Sequence, residues 1–233
     1  MKRTLQLASF ALLGTISCIA QLSVEPKAIG RIFANASDTT AIGTAFVAGR
    51  SKAIYTCSHV VVADTLWFSY IGSNMVFRIK LTYNLPAYDV AFLERTGGSQ
   101  PFALEFGDFA RVQPGDLVYY VGWDQIAQSH LLRKATVSAK GSVLLEEGAK
   151  VDFLEFDGQA IPGYSGGPVL DGAGKVVAMI REGWTRTSLK GGPSDRVNRA
   201  FSIELLKVLD SDLKIHSTPT PGRGPKTLID LHH

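Results

Sequence analysis

Gly163-Tyr164-Ser165-Gly166-Gly167-Pro168 crowds small and turn-forming residues around one serine, just ahead of the strand-like Val169-Leu170. Glycines let the backbone turn sharply, which exposes the hydroxyl and aims neighbouring N–H groups at one point. Acyl transfer needs that arrangement: a serine attacks a carbonyl, and amide donors, here those of Gly163 and Ser165, meet the oxyanion that develops. A plain glycine-rich turn between two strands has the same composition. The motif therefore requires partners elsewhere in the chain.

Two upstream segments hold candidates. In Tyr55-Thr56-Cys57-Ser58-His59-Val60-Val61-Val62 a histidine ends a β-branched strand, and in Tyr88-Asp89-Val90-Ala91-Phe92-Leu93 an aspartate begins another. Taken singly, each has an ordinary structural reading, a histidine satisfied within the fold and an aspartate in a turn.

Together, in the chain order His, Asp, Ser, the three segments resemble the trypsin-like (chymotrypsin-fold) serine peptidases, and most closely their HtrA/Deg branch. Gly43-Thr44-Ala45-Phe46-Val47 is similar to the strand before the histidine. Val112-Gln113-Pro114-Gly115-Asp116-Leu117-Val118-Tyr119-Tyr120-Val121-Gly122 is similar to the opening of the second barrel, and Asp171-Gly172-Ala173-Gly174-Lys175-Val176-Val177-Ala178-Met179 to the hairpin after the nucleophile. The similarity spans roughly residues 29–206 and leaves out the PDZ domain that HtrA proteins usually carry. It implies an all-β fold of two six-stranded antiparallel barrels with a short C-terminal helix. It also implies His59 as general base, Asp89 as its orienting carboxylate, Ser165 as nucleophile, and the Gly163 and Ser165 amides as the oxyanion hole. The expected activity is that of an exported serine endopeptidase acting on polypeptides through an acyl-enzyme, without cofactor or metal. A non-catalytic binding protein that keeps the fold is the alternative.

Three positions depart from the family pattern. Tyr164 stands where digestive trypsin-like enzymes carry an aspartate that pairs with a newly cut N-terminus, and where the HtrA branch usually has asparagine. Arg181 and Glu182 replace small or polar residues on the strand that usually aligns the substrate backbone; a solvated charge pair at a strand end is the simpler reading. Gln159, six residues before the serine, is expected at the base of the side-chain pocket, where the absence of an aspartate disfavours cleavage after lysine or arginine. Its neutral floor suits medium aliphatic or small side chains. If Arg181 reached into that pocket it would select acidic ones.

The elements that must position these residues are legible in outline. Of the 233 residues 45% are hydrophobic, 19% are charged and 23 are glycine, a balance suited to barrels with many tight turns. Short strand-like runs recur along the chain, and Thr96-Gly97-Gly98-Ser99-Gln100-Pro101 breaks them as the best linker; the resemblance then implies barrel 1 at about residues 28–95 and barrel 2 at about 106–203. A helix is expected from Ser202 to Leu209, within a peptidase domain of residues 21–210, and a Pro/Gly-rich flexible tail over 211–233.

Met1-Lys2-Arg3 and the apolar residues 5–19 read as a secretory signal over residues 1–20, too short for a membrane span. The expected address is periplasmic or secreted, with lipoprotein anchoring through Cys18 ranked behind cleavage after Ala20. Losing Lys2 and Arg3 lowers the formal charge from +3 to +1, which implies no nucleic-acid surface, and leaves Cys57 without a disulfide partner. No feature fixes the oligomeric state.

Overall fold

The computed structural model describes residues 26–98, 100–145, 148, 150–158, 162–186 and 195–216. The expected signal with Cys18, Gln159, and residues 217–233 of the expected tail lie outside them.

Twelve strands form two closed antiparallel barrels, each of six strands. Barrel 1 contains β1 (Ile29–Phe33), β2 (Gly43–Ala48), β3 (Ala53–Thr56), β4 (Thr65–Tyr70), β5 (Phe77–Leu85) and β6 (Val90–Arg95), in the order β1-β2-β3-β6-β5-β4. Barrel 2 contains β7 (Leu117–Asp124), β8 (Ser129–Leu144), β9 (Lys150–Phe156), β10 (Pro168–Leu170), β11 (Val176–Arg186) and β12 (Asp195–Ser202), in the order β10-β11-β12-β9-β8-β7. Closure removes the unpaired edges that an open sheet would expose.

Burial explains why some strands read clearly and others poorly. Every residue of β2, β3 and β10 is buried, so these strands are covered on both faces and their sequences are apolar apart from Thr44 and Thr56. β5 and β8 meet solvent on one side, and basic residues interrupt them. Ile29, Phe46, Ile54, Phe68 and Phe92 anchor one core, while Tyr120, Leu154, Phe156, Tyr164 and Ile180 anchor the other.

The C-terminal helix α1 (Glu204–His216) runs past Leu209 into residues expected to be tail. It leaves barrel 2 and packs Leu206 and Leu209 into the core of barrel 1. Asp210 completes the join. Its carboxylate accepts from the Arg50 amide at 2.9 Å, the Ser51 amide at 3.0 Å, the Ser51 hydroxyl, and the Tyr55 hydroxyl at 3.2 Å. Gly49, at φ 72°, makes room, because a Cβ there would lie 2.5 Å from that carboxylate.

His130 lies near the start of β8 opposite Trp123 and packs its ring against that indole with centroids 5.1 Å apart. Burial pushes its pKa down to about 4; a Gly30 backbone hydrogen bond opposes this and Arg31 adds to it. The unfolded chain therefore binds the extra proton first as pH falls from about 6.5, so stability present above that value is lost towards pH 4. Urea unfolding at pH 7.5 and 4.5 should show His130→Phe losing about 2.5 kcal/mol less than the natural chain between the two conditions. Equal losses would remove His130 from the acid sensitivity.

Candidate active site

β3 ends at Thr56, and the chain turns through one 3₁₀ turn, Ser58–Val60, so His59 and the valines after it are not strand as expected. Ser58 Oγ donates to Asn84 Oδ1 at 2.6 Å, which ties this turn to β5. Asp89 closes a second 3₁₀ turn, Pro86–Tyr88, with φ 52° and ψ 44°. Aspartate is among the few side chains that visit this left-handed region, at a cost of about 1 kcal/mol.

The two turns bring His59 and Asp89 together. His59 Nδ1 lies 2.9 and 3.0 Å from the two Asp89 oxygens, and the His59 amide donates to Oδ1 at 3.1 Å. A carboxylate facing Nδ1 holds a proton there and leaves Nε2 with a lone pair, the tautomer a base requires. The His59 side chain is 50% exposed and that of Asp89 only 7%, so the pair is open on the histidine side alone. Burial pushes the Asp89 carboxyl up, but the His59 hydrogen bonds and charge, together with the Arg181 cation, outweigh it and hold the group below the usual carboxylate range.

The Ser165 loop belongs to barrel 2 and is held by barrel 1. Thr44, fully buried on β2, donates its amide to Ser165 O at 2.9 Å and its hydroxyl to Gly163 O at 2.6 Å. The same hydroxyl accepts the Trp123 amide at 2.8 Å. Gly163 (φ 101°) and Gly166 (φ 82°) are required here: a Cβ would approach Trp123 O to 2.4 Å at the first and Thr44 O to 2.3 Å at the second. Among the described residues, neither the Gly163 nor the Ser165 N–H has an acceptor.

Tyr164 anchors the loop on its other side. Its ring is buried against Gly122 and Tyr120, and its hydroxyl accepts from Arg133 Nε at 2.9 Å. Arg133 in turn lies 3.5 Å from Asp124. An internal cation thus fixes the residue before the serine. The sequence marked Tyr164 as a departure but gave no sign of Arg133 as its partner.

The remaining residues fall around this frame. Ser165 Oγ donates to the Arg181 carbonyl at 3.0 Å. Arg181, expected to line the side-chain pocket, turns its Nε to Asp89 Oδ2 at 3.0 Å and stacks over the Phe201 ring at 4.9 Å. Cys57 is free and buried, and its Sγ donates to Ile180 O at 3.2 Å. Burial first, then the Asp89 charge, push that thiol up, which keeps it un-ionised and unsuited to nucleophilic attack. Thr44 is the residue that the sequence reading missed. Its signal was a hydroxyl in an otherwise apolar, doubly covered strand, which must find partners when buried.

Thr44→Val keeps the shape of the side chain but leaves Gly163 O and the Trp123 amide unpaired. We expect it to lower stability by about 2 kcal/mol in urea unfolding, with Thr44→Ser near the natural chain. Equal stability of the valine variant would show that the hydroxyl holds nothing.

Comparison with known proteins bears on this frame. Residues 43–179 match the family described as trypsin-like peptidase domain. A "Probable periplasmic serine endoprotease DegP-like" of Pseudomonas putida is 27% identical over 178 residues, 76% of this chain and 37% of its own length. A relative of the same description from Pseudomonas savastanoi is 29% identical, over 80% of this chain and 37% of its own. This chain thus spans a little over a third of these relatives. Among solved structures, the HtrA-type protease AlgW with a decapeptide superposes with a TM-score of 0.65 at 19% identity, over 82% of this chain and 65% of that one. The MamO protease domain of Magnetospirillum magneticum gives 0.62 at 17% identity, over 79% and 96%. The double barrel is the fold those structures share, and with more than half of its length matched, the chain belongs to the family of trypsin-like peptidase domains.

Proposed function

We propose that the chain is an exported serine endopeptidase of HtrA/DegP type that cleaves polypeptides through Ser165, His59 and Asp89. The contact of both Asp89 oxygens with His59 Nδ1 carries this reading, because it leaves Nε2 as the acceptor in a half-exposed ring. His59 Nε2 takes the Ser165 proton as the oxygen bonds to the substrate carbonyl. Asp89 keeps the ring oriented and stabilises the imidazolium. The carbonyl π electrons move to oxygen and face the Gly163 and Ser165 amides, a role supported by neither N–H having an acceptor among the described residues. Collapse breaks the C–N bond, His59 protonates the departing amine, and water repeats the sequence to release the acid.

One observation favours the second reading, a binding protein that keeps the fold: the Ser165 hydroxyl donates to Arg181 O, so it must turn to reach His59. Labelling by a fluorophosphonate separates the two. The natural chain should label and hydrolyse casein, and Ser165→Ala should lose both by about 10⁴-fold or more. A folded chain that never labels supports the binding protein, while undiminished hydrolysis by Ser165→Ala would overturn the nucleophile assignment.

Export rests on the basic-then-apolar start and on the periplasmic description of the relatives. No helix among the described residues is long and apolar enough to cross a membrane. Mass spectrometry of protein from its native host should find an N-terminus at Gln21, or a lipid on Cys18 under the anchored alternative. An intact Met1 on protein inside the cell contradicts both. For the side-chain pocket, the reading of Gln159 as a neutral floor, a position outside the described residues, would favour medium aliphatic or small side chains, whereas acid selection requires Arg181 to release Asp89.

A further inference from the structure

The antiparallel ladder between β11 and β12 breaks at one point. Ile180 pairs with Ala200 and Glu182 with Arg199, so Arg181 is an extra residue on its strand. A bulge of this kind re-aims a side chain and frees backbone groups from the ladder, and bulges are common beside active sites. Here the freed carbonyl accepts the Ser165 hydroxyl at 3.0 Å while the guanidinium reaches Asp89 Oδ2 at 3.0 Å. One residue of barrel 2 therefore touches the nucleophile of its own barrel and the carboxylate of the other.

We propose that Arg181 is a positioning residue of this site: it holds Asp89 through Oδ2, the oxygen that His59 Nδ1 also contacts, and parks the Ser165 hydroxyl on its carbonyl. This rests on the Ser165, His59 and Asp89 reading above. Among the described residues, the charged and titratable groups at Asp89 come from both barrels: His59 Nδ1 and the Arg181 guanidinium contact it, and the neutral Cys57 thiol lies within 4.8 Å of the His59–Asp89 pair. Burial pushes the Asp89 carboxyl up, and the Arg181 cation adds to the His59 contacts that hold it low. Without that cation the buried carboxylate loses part of what keeps it ionised and fixed beneath Nδ1.

The test follows the Asp89 carboxyl by carbon NMR through a pH titration of the full chain, compared with R181M and R181K. Methionine preserves the apolar stem over Phe201 and removes the charge; lysine keeps the charge without the planar fork. We expect the Asp89 titration to move up in R181M and to return towards the natural value in R181K. If R181M does not fold, R181Q takes its place. An unmoved Asp89 titration in a folded, charge-free variant overturns the proposal, even if labelling falls uniformly. The NMR readout needs no turnover, so it decides the role of Arg181 independently of whether Ser165 proves to be a nucleophile.

Discussion

A nucleophile carried by one barrel and a base carried by the other can work only if the barrels are held in register to a fraction of an ångström, and here a buried threonine supplies that hold. Thr44 sits in the middle of β2, donates from its amide to Ser165 O and from its hydroxyl to Gly163 O, and receives the Trp123 amide. These bonds fix the carbonyls on both sides of Tyr164 and therefore the direction in which the intervening amides point. Buried hydrogen bonds of this kind add little net stability, yet leaving one unmade is costly. The loop is thus specified more sharply than it is stabilised.

The constraint propagates outward. Because Gly166 presses on Thr44 O and Thr56 Oγ1, no side chain fits between the barrels at that point, and glycine is a steric requirement as well as a conformational one. Tyr164 then turns inward, where its hydroxyl accepts from Arg133, which in turn lies 3.5 Å from Asp124. The opposite wall is Ile180, whose carbonyl receives the Gly166 amide and the Cys57 thiol, and immediately after it comes the bulge that sends Arg181 to Asp89. Each contact is set by its neighbour, so the site is one packed unit that spans both barrels.

This explains what could be read from residues alone. Ser165, His59 and Asp89 stood out because their local surroundings carry the signal: glycines about the serine, and apolar runs beside the histidine and aspartate. Short strands were visible in their recurrence, most clearly where both faces are covered, as in β2 and β10, whereas their closure into two barrels came from the family resemblance. Val60-Val61-Val62 misled as strand, since β-branched composition describes a residue that packs well and does not require ladder pairing. In the structure Val60 is buried where a Cβ on Gly43 would strike it, inside a 3₁₀ turn. Helix α1 outran its expected end because Asp210 docks on barrel 1, a contact between residues about 160 positions apart.

Arg181 illustrates the limit most clearly. From the sequence it is a basic residue next to an acidic one on a strand, for which a weak solvated pair is the ordinary account. What changes its meaning is the omission of a single ladder pairing, which depends on how β12 meets β11 and leaves no local trace. The same geometry makes Asp89 the electrostatic meeting point of the two barrels: its cationic partner comes from barrel 2, its histidine from barrel 1, and its own backbone is held left-handed by the turn that precedes it. A buried carboxylate with only one of these partners would sit higher in pKa and looser in position. With both, it remains ionised and fixed, which is the condition for holding His59 in the tautomer that leaves Nε2 facing outward.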